Sequence, residues 1–328
     1  MNSSIYAILI SASLGVISNR GSSSKKPIRP ASPLRWVGGK YKAVLDLVKF
    51  FPPDGFKEYR EPFFGGGSVG LYVAANYKDV NIIANDLSYE LYNFWKIAQK
   101  ENSRLAKTVS DMLYPILIQK IDPQTGKKKI IIDPQKGKER FKMAKSFLTK
   151  KQIIEQSKRD NEFASFLLAF SLYIVNRLSF SGVLTAGYSG SRLTEGSIKT
   201  LEKSKDLLSN IKLKSSDYNK ILKSKGEDVF IFLDPPYYDV TKGLYGTRGE
   251  FDWGEKDFRL LKRRLKATPH KFLLTINDDP FIRKLFSGEP FYIYTRDYLY
   301  SSGESKGKGT RKKNTELIIT NYEVKKKV

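Results

Sequence analysis

Hydrophobic positions in the first third of the chain follow two different periods. Apolar side chains recur at helical spacing in 41–51, 69–77 and 89–99, and Pro52-Pro53 ends the first of these helices. Between the helices, 57–61 and 80–84 are short runs typical of buried strands. This β-α-β-α order predicts a mainly parallel sheet with helices on its faces.

The alternation lapses between residues 101 and 210. Within that stretch, two apolar runs around a turn predict a hairpin at 116–132, and an almost wholly apolar helix is predicted at 163–178. The pattern resumes at Ile211, and a basic amphipathic helix is predicted at 256–267. Further strands are predicted at 229–233, 272–276, 291–294 and 316–322.

These patterns predict the fold class and the domain organisation. We expect an α/β, doubly wound main domain formed by 31–100 and 211–328, with a mostly helical insertion at 101–210. Residues 1–30 hold an apolar stretch, but no basic side chain precedes it and no convincing cleavage site follows it. We therefore expect a disordered or non-native tail there. No apolar run approaches the ~20 residues of a membrane-spanning helix, so we expect no membrane partner.

Basic side chains far outnumber acidic ones. The 58 Lys and Arg against 34 Asp and Glu give a formal charge of +24, which attracts polyanions over a long range. Nucleic acid is the first partner to consider, and the alternatives are an anionic membrane surface or a charge that serves only solubility. The chain has no cysteine and one histidine, His270, which excludes disulfides, thiolate zinc sites and a cysteine nucleophile. The chemistry therefore rests on carboxylates, amides and aromatic rings, without a metal.

A glycine-rich turn follows the first predicted strand. Phe63, Gly65 and Gly67 belong to this turn, and Asp86 closes the next strand, where a carboxylate can accept hydrogen bonds from ribose hydroxyls. The turn matches neither the dinucleotide fingerprint nor a P-loop, so a nucleoside without phosphates fits better. Upstream, Trp36 can stack on a ligand or contact a sulfonium, and Lys40 can hold a carboxylate. A purely structural turn is the alternative for both segments.

The most informative motif is Asp234-Pro235-Pro236-Tyr237, which follows five consecutive apolar residues. The two prolines cannot continue a central strand, so Asp234 and the Pro235 carbonyl are expected at the sheet edge as paired acceptors. If they accept both hydrogens of adenine's amine, the nitrogen lone pair turns toward an incoming methyl group. Tyr237 would stack on the base, which has to leave the duplex first. The alternative is a proline turn that ends a buried strand.

Together these motifs resemble those of the Dam-type DNA adenine methyltransferases. Residues 34–40 resemble that family's L-K-W-x-G-G-K element, 61–69 its E-P-F-x-G-G-G-S-V loop, and Asn85-Asp86 its second motif. Asp217-Tyr218 resembles the acidic-aromatic pair, 234–237 the catalytic tetrapeptide, and 316–322 the closing E-L-L-I-x-N-Y strand. The order is also the family's: cofactor motifs, then a recognition insertion, then catalysis. The resemblance covers residues 33–323.

The resemblance implies an S-adenosylmethionine-dependent enzyme that methylates adenine N6 at specific sites in double-stranded DNA, with base flipping and S-adenosylhomocysteine as product. It implies cofactor contacts by Trp36, Lys40, Asp86 and Asp234, and a pocket for the cofactor's adenine at Asp217-Tyr218. It also implies a seven-stranded mixed sheet with one antiparallel strand near the C-terminus. A cytoplasmic, nucleoid-associated location and work beside a restriction endonuclease would suit such an enzyme.

The segment that would recognise DNA departs from the family in its second half. Residues 176–182 keep the first half of the family's N-R-x-x-F-N-G pattern, whereas 183–196 do not keep the F-N-V-P-x-G stretch, so recognition of GATC is left open. Arg177 and Arg192 are candidates for contacts with bases or nearby backbone. Asn176, Phe180 and Gly182 complete the expected DNA-binding set. The lysine-rich stretches 127–151 and 306–313 are expected to bind phosphates or to form mobile loops.

Three other functions stay open at this point. N4 of cytosine is a similar conjugated amine, adenine in RNA offers the same group, and a DNA-binding protein that has lost catalysis is a rival of another class. The lack of cysteine excludes C5-cytosine methylation, which needs a thiolate to attack the ring. The aspartate that opens the tetrapeptide and the cofactor-first order of the motifs favour adenine.

Overall fold

The computed structural model describes residues 26–190, 192–239, 251–299 and 313–324. The predicted tail before residue 26, and the lysine-rich stretch 306–313 apart from the backbone of its last residue, lie outside the described residues. Ile28, at the end of the predicted tail, exchanges two hydrogen bonds with Asn76, at 2.8 Å and 2.6 Å.

The helices and strands alternate as the hydrophobic periods predict, apart from the insertion. The described helices are α1 Val44–Leu47, α2 Ser68–Asn76, α3 Tyr89–Lys100, α4 Asn102–Leu113, α5 Pro134–Thr149, α6 Lys151–Lys158, α7 Glu162–Leu178, α8 Glu195–Leu208, α9 Tyr218–Lys223, α10 Glu255–Ala267 and α11 Pro280–Leu285. The described strands are β1 Glu58–Glu61, β2 Asn81–Asn85, β3 Leu117–Ile121, β4 Lys128–Ile132, β5 Ile211–Lys214, β6 Val229–Leu233, β7 Lys271–Asn277, β8 Tyr292–Leu299 and β9 Lys313–Thr320.

Seven strands form one mixed sheet in the order β5-β2-β1-β6-β7-β9-β8. Strands β5, β2, β1, β6 and β7 pair in parallel, whereas β9 runs antiparallel to both of its neighbours. The predicted fold class is confirmed, including the single antiparallel strand near the C-terminus. It is the arrangement of the S-adenosylmethionine-dependent methyltransferase fold.

Strand β6 shows why the sheet needs helices on both faces. Phe230 and Phe232 pack into one hydrophobic core and Ile231 and Leu233 into the other, as the two-residue period of a strand dictates. All five β6 residues are buried. The end of this strand is therefore held rigidly from both sides. No helix among the described residues is long and apolar enough to span a membrane.

The stretch between α3 and β5 contains five helices and the hairpin β3–β4. The predicted hairpin and apolar helix are confirmed, and α7 packs against α3, where Phe94 and Tyr173 stack at 6.0 Å. The mobile-loop alternative for 127–151 is wrong for most of that stretch, because β4 and α5 occupy it. Helix α5 begins where the Asp133 side chain accepts from the N–H groups of Gln135 and Lys136, and it buries Phe141, Ala144 and Leu148 on one face.

Candidate active site

The carboxyl ends of the parallel strands gather the motif residues at one edge of the sheet, which is where open α/β sheets bind ligands. The loops after β1 and β2 meet there: Phe64 N–H donates to Asn85 O at 2.9 Å, and Gly65 N–H donates to the Asp86 carboxylate at 2.9 Å. The residues after β6 join them through Thr275 of β7, whose hydroxyl donates to Asp234 at 2.8 Å. The predicted cofactor motifs and the tetrapeptide therefore share one edge.

The glycine turn after β1 is shaped to let an indole approach the backbone. Gly65 and Gly67 have φ values of +49° and +69°, which favour glycine. A Cβ atom on Gly65 would lie 2.6 Å from Nε1 of Trp36, and the Trp95 indole donates to Gly65 O at 3.0 Å. Two tryptophans thus enclose the turn.

Asp86 is a hydrogen-bond acceptor held at the end of β2. Its carboxylate accepts from Gly65 N–H at 2.9 Å and from Ser88 N–H at 3.0 Å. Burial raises the pKa of Asp86 to about 6, although the backbone N–H groups oppose that shift. A carboxylate has about four acceptor sites, so Asp86 can accept from a diol such as ribose beside its backbone partners.

An aromatic cluster lies beside this acceptor. Phe63, Tyr218 and Trp253 have ring centroids 5.3 to 5.6 Å apart. Asp217 caps α9 by accepting from Asn219 N–H at 2.8 Å, and Arg264 lies 4.7 Å from the centre of the Tyr218 ring. The flat apolar faces of these rings suit a purine ring. Trp253 carried no motif that could reveal it from the sequence.

The carboxylate of Asp234 is enclosed by cationic and hydroxyl donors. Lys40 Nζ lies 2.7 and 2.6 Å from its two oxygens and also donates to Gly38 O at 2.9 Å. Burial raises the pKa of Asp234 above its ordinary value despite the lysine. The sequence suggested that Lys40 holds a cofactor carboxylate; in the structure its ammonium contacts the carboxylate of Asp234. The Asp234 side chain is only 20% exposed, and a charge so largely removed from water is costly without such a partner.

Tyr237 is anchored by a residue from the far end of the chain. Its hydroxyl donates to Glu316 of β9, and Arg296 of β8 donates to the same carboxylate at 2.8 Å. Burial pushes the pKa of Glu316 upward, but Lys40, Tyr237 and Arg296 together outweigh burial and lower it. In the sequence, Glu316 stood out only as the first residue of a closing strand, and Arg296 belonged to no recognised motif.

The backbone after the tetrapeptide is also fixed. Asn277 at the end of β7 accepts from Tyr238 N–H at 3.0 Å and donates to Tyr238 O at 2.9 Å. Pro235 is buried and Pro236 partly buried. The loop that carries the expected acceptors is therefore tied to the neighbouring strand by a side-chain amide that has no signature in the sequence.

Asn176 joins the end of α7 to the segment that carries Trp36. The residue is fully buried, and its amide bonds both backbone groups of Arg35 at 2.8 and 2.7 Å and Gly182 O at 2.9 Å. Gly182 has a φ of +79°, and a Cβ atom there would collide with the Arg35 carbonyl. Asn176 and Gly182 thus shape the expected DNA-binding loop from within.

Three arginines cluster around that loop. Arg177 donates to Arg192 O at 3.0 and 2.6 Å, and Arg35 donates to Ser179 O at 3.1 Å. Burial and then the charges of Arg177 and Arg192 lower the pKa of Arg35. Phe180 is 63% exposed at the tip of the loop. The structure brings the two predicted DNA-contact candidates, Arg177 and Arg192, together, and it adds Arg35, which no sequence motif had indicated.

The strand order, the glycine turn and the carboxylate at the end of β6 define an S-adenosylmethionine-dependent methyltransferase. Comparison with known proteins narrows the class: the chain belongs to the D12 class N6 adenine-specific DNA methyltransferases, whose family pattern matches residues 36–302. It is therefore an enzyme that methylates adenine N6 in DNA with S-adenosylmethionine. This result decides against N4-cytosine and RNA as the primary substrates.

Several curated relatives are similar over nearly the whole chain. Type II methyltransferase M.MjaIII of Methanocaldococcus jannaschii is 26% identical over 304 residues, covering 88% of this chain and 98% of the relative. Type II methyltransferase M1.LlaDCHI of Lactococcus lactis subsp. cremoris is 21% identical, covering 91% and 97%. Modification methylase StsI of Streptococcus sanguinis is 24% identical, covering 93% of this chain and 45% of the relative.

Proposed function

We propose that the enzyme methylates an adenine that has been turned out of double-stranded DNA into a pocket formed by Asp234, Pro235, Pro236 and Tyr237. The observation that carries this proposal is the position of Asp234. Its carboxylate is fixed by Lys40 and Thr275 at the sheet edge that also carries the glycine turn and Asp86. An adenine inside a duplex uses its amine for pairing, so the base has to leave the stack to reach this carboxylate.

Asp234 and the Pro235 carbonyl act as paired acceptors for the two hydrogens of the target amine. This hydrogen bonding directs the nitrogen lone pair away from the ring system and stabilises the positive charge that grows on nitrogen. Lys40 contacts both Asp234 oxygens and Thr275 donates to Oδ1, so Oδ2 keeps a lone pair that can accept from the amine. N6 loses a proton when the new bond to carbon forms, and Asp234 is the nearest carboxylate to receive it. The raised pKa of Asp234 suits that role.

Tyr237 provides the stacking surface for the displaced base. The hydrogen bond from its hydroxyl to Glu316 limits rotation of the ring, so the stacking plane is ready before the base arrives. Arg296 holds the Glu316 carboxylate in turn. The base would then lie between an aromatic face and the acceptor pair.

The cofactor seat is proposed along the ends of β1, β2 and α9. S-adenosylmethionine, when bound, supplies a methyl group on a sulfonium and leaves as S-adenosylhomocysteine. Asp86 accepts from the ribose hydroxyls. The Gly65–Gly67 turn lets the methionine part of the cofactor approach the backbone closely, and the Trp36 ring covers that part. The cluster of Phe63, Tyr218 and Trp253 receives the adenine, with Asp217 at its edge. Lys40, which donates to Asp234 and to Gly38 O, also has the charge to attract the carboxylate of the bound cofactor.

Replacing Asp234 tests the proposal. Asp234→Asn keeps the shape of the side chain but removes its charge, and we expect methyl transfer to DNA to fall by about 10²–10³-fold, as for the loss of one charge-stabilising group. Calorimetry should still detect S-adenosylmethionine binding. Asp206→Asn, on the exposed face of α8, is the matched control. Unchanged methyl transfer by Asp234→Asn would overturn the assignment of Asp234.

We further propose that residues 101–210 form the target-recognition insertion, with Arg177, Arg192 and Phe180 facing DNA while Asn176 and Gly182 hold their loop. The cluster of three arginines has the charge that phosphates and guanine edges attract. The relatives named as Type II methyltransferases and a modification methylase support work beside a restriction endonuclease, and hence a cytoplasmic, nucleoid-associated location. Modification-sensitive sequencing of DNA from a methylation-free host that expresses the protein would report base and target together. GATC is one candidate target.

A further inference from the structure

Helix α9 carries one part of the proposed adenine pocket, which consists of Phe63, Tyr218 and Trp253. Tyr218 is the first residue of this helix, and Asp217 caps the same end. A helix of six residues forms few internal hydrogen bonds, and isolated helices of that length are unstable in water. The position of Tyr218 therefore depends on what holds α9 against the rest of the chain.

The carbonyl groups at the end of α9 are bound by side chains. A helix leaves its last four carbonyl groups without a partner inside the helix. Ser224 Oγ donates to Lys220 O at 2.6 Å, and Thr268 Oγ1 donates to Leu222 O at 3.2 Å. Nε2 of His270 lies 2.8 Å from Ser224 O. Thr268 and His270 belong to the connection between α10 and β7, so this connection holds one side of the helix end.

Arg60 of β1 binds three carbonyl groups at the same helix end. Its side chain is 1% exposed, and its guanidinium donates to Ile221 O at 2.9 Å, to Ser224 O at 2.7 Å and to Lys225 O at 2.8 Å. Nε of the same side chain donates to Glu58. A positive charge at the carboxyl end of a helix also interacts favourably with the helix dipole. Arg60 thus fixes the end of α9 to a strand in the interior of the sheet.

Stability alone does not explain the burial of this charge. Replacing a buried ion pair by apolar side chains of similar volume is often neutral or even stabilising. An apolar side chain at position 60 would, however, deprive the carbonyl groups of Ile221 and Lys225 of this donor. The chain also keeps space for the guanidinium, because a Cβ atom on Gly226 would lie 2.5 Å from Nη2 of Arg60. The arginine therefore serves the placement of α9.

We propose that Arg60 is a positioning residue for S-adenosylmethionine. Phe63 follows Arg60 by three residues along the chain, and Tyr218 opens the helix whose end Arg60 holds. Arg60 thereby sets the place of Tyr218 relative to Phe63, with ring centroids 5.3 Å apart, and so shapes the surface on which the cofactor's adenine rests. Asp234 and Tyr237 are held by side chains of other segments, so Arg60 acts on cofactor affinity and not on the transfer step. This inference rests on the proposed cofactor seat.

Substitution of Arg60 is the first test, in steady-state kinetics of the full chain with duplex DNA. Arg60→Leu should raise KM for S-adenosylmethionine about tenfold, the effect expected when stacking on an aromatic ring is impaired, while kcat stays within about twofold. Calorimetry with 5′-methylthioadenosine, which lacks the amino-acid part of the cofactor, should show the same loss of affinity. Arg60→Lys keeps the charge and three donors, so it should recover part of the affinity. A fall in kcat with unchanged KM, or unchanged binding of 5′-methylthioadenosine, would overturn the proposal.

Two further variants separate positioning from general destabilisation. Gly226→Ala keeps every charge but displaces the guanidinium, so it should raise KM in the same direction even if Arg60→Leu fails to fold. The control Gln99→Leu removes two hydrogen bonds of the same kind, from a side chain to the carbonyl groups of Leu208 and Ile211. An unchanged KM in Gly226→Ala, or an equal rise in the control, would contradict the role of Arg60. Methyl transfer by the wild type, followed in parallel, tests the proposed function separately.

Discussion

At the scale of single residues, the site is a set of carboxylates in unlike surroundings. Asp234 faces an ammonium and a hydroxyl, Asp86 faces backbone N–H groups, and Glu316 faces a phenol and a guanidinium. Burial favours the neutral form of all three carboxylates. The hydrogen-bond donors and cations around each one decide how far it favours its charged form. The three carboxylates therefore differ in proton affinity. In the proposed mechanism Asp234 accepts from the target amine, Asp86 from the ribose and Glu316 from the hydroxyl of the stacking ring.

The pKa of Asp86 predicts a pH dependence of cofactor affinity. Burial raises this pKa to about 6, so the group is ionised at neutral pH and becomes protonated as the pH falls through about 6. Protonation removes acceptor capacity toward ribose, so S-adenosylmethionine affinity should weaken below that pH. Calorimetry between pH 5 and 8 measures this, and Asp86→Asn should bind more weakly with a flat profile. A pH-dependent profile in Asp86→Asn would show that another group titrates.

Two substitutions of Tyr237 separate the contribution of its ring from that of its hydroxyl. Tyr237→Phe keeps the stacking face and loses only the hydrogen bond to Glu316, so we expect methyl transfer to fall by less than about tenfold. Tyr237→Ala loses the face itself, and its loss should be larger by about 1–3 kcal/mol of base stacking. Single-turnover rates and the fluorescence of 2-aminopurine at the target position report the two steps. Equal losses in both variants would argue against stacking.

At the scale of elements, one side chain couples the end of α7 to the segment before the glycine turn. Asn176→Ala would leave backbone groups of Arg35 and Gly182 buried without partners. Each such group costs about 1–3 kcal/mol, so we expect unfolding free energy to fall by at least about 2 kcal/mol. Urea unfolding measures the change, and Asn210→Ala, at an exposed position after α8, is the control. If Asn176→Ala were as stable as the control variant, the loop would not depend on the Asn176 hydrogen bonds for its conformation.

The elements themselves followed local pattern where the pattern was strong. The five apolar residues of β6 and the apolar face of α7 were predicted because burial dictates their composition directly. Helix α5 was harder to recognise, because its many lysines resemble a solvated run and hide the few apolar positions that face the core. Strand β8 extends beyond its predicted end, because it pairs with β9 along its whole length. The local sequence does not encode this pairing.

At the scale of the whole molecule, the charge of +24 predicts how DNA binding responds to salt. If six to ten phosphates are neutralised, affinity should fall by about 10³–10⁵-fold between about 50 and 200 mM salt, because bound counterions are released. Fluorescence anisotropy with a labelled duplex measures the slope. A flat response would mean that the basic residues serve solubility instead of DNA binding.

The sequence alone determined the β-α alternation on either side of residues 101–210, the doubly wound sheet and the positions of Gly65, Asp86 and Asp234, because periodic burial and turn chemistry are local properties. Only the tertiary structure decided which groups meet. Four contacts join segments that are distant in the chain: Lys40 with Asp234, Glu316 with Tyr237, Trp253 with Tyr218, and Arg35 with Arg177. Such pairs arise where loops from different strands converge at one sheet edge, and no local pattern records that convergence.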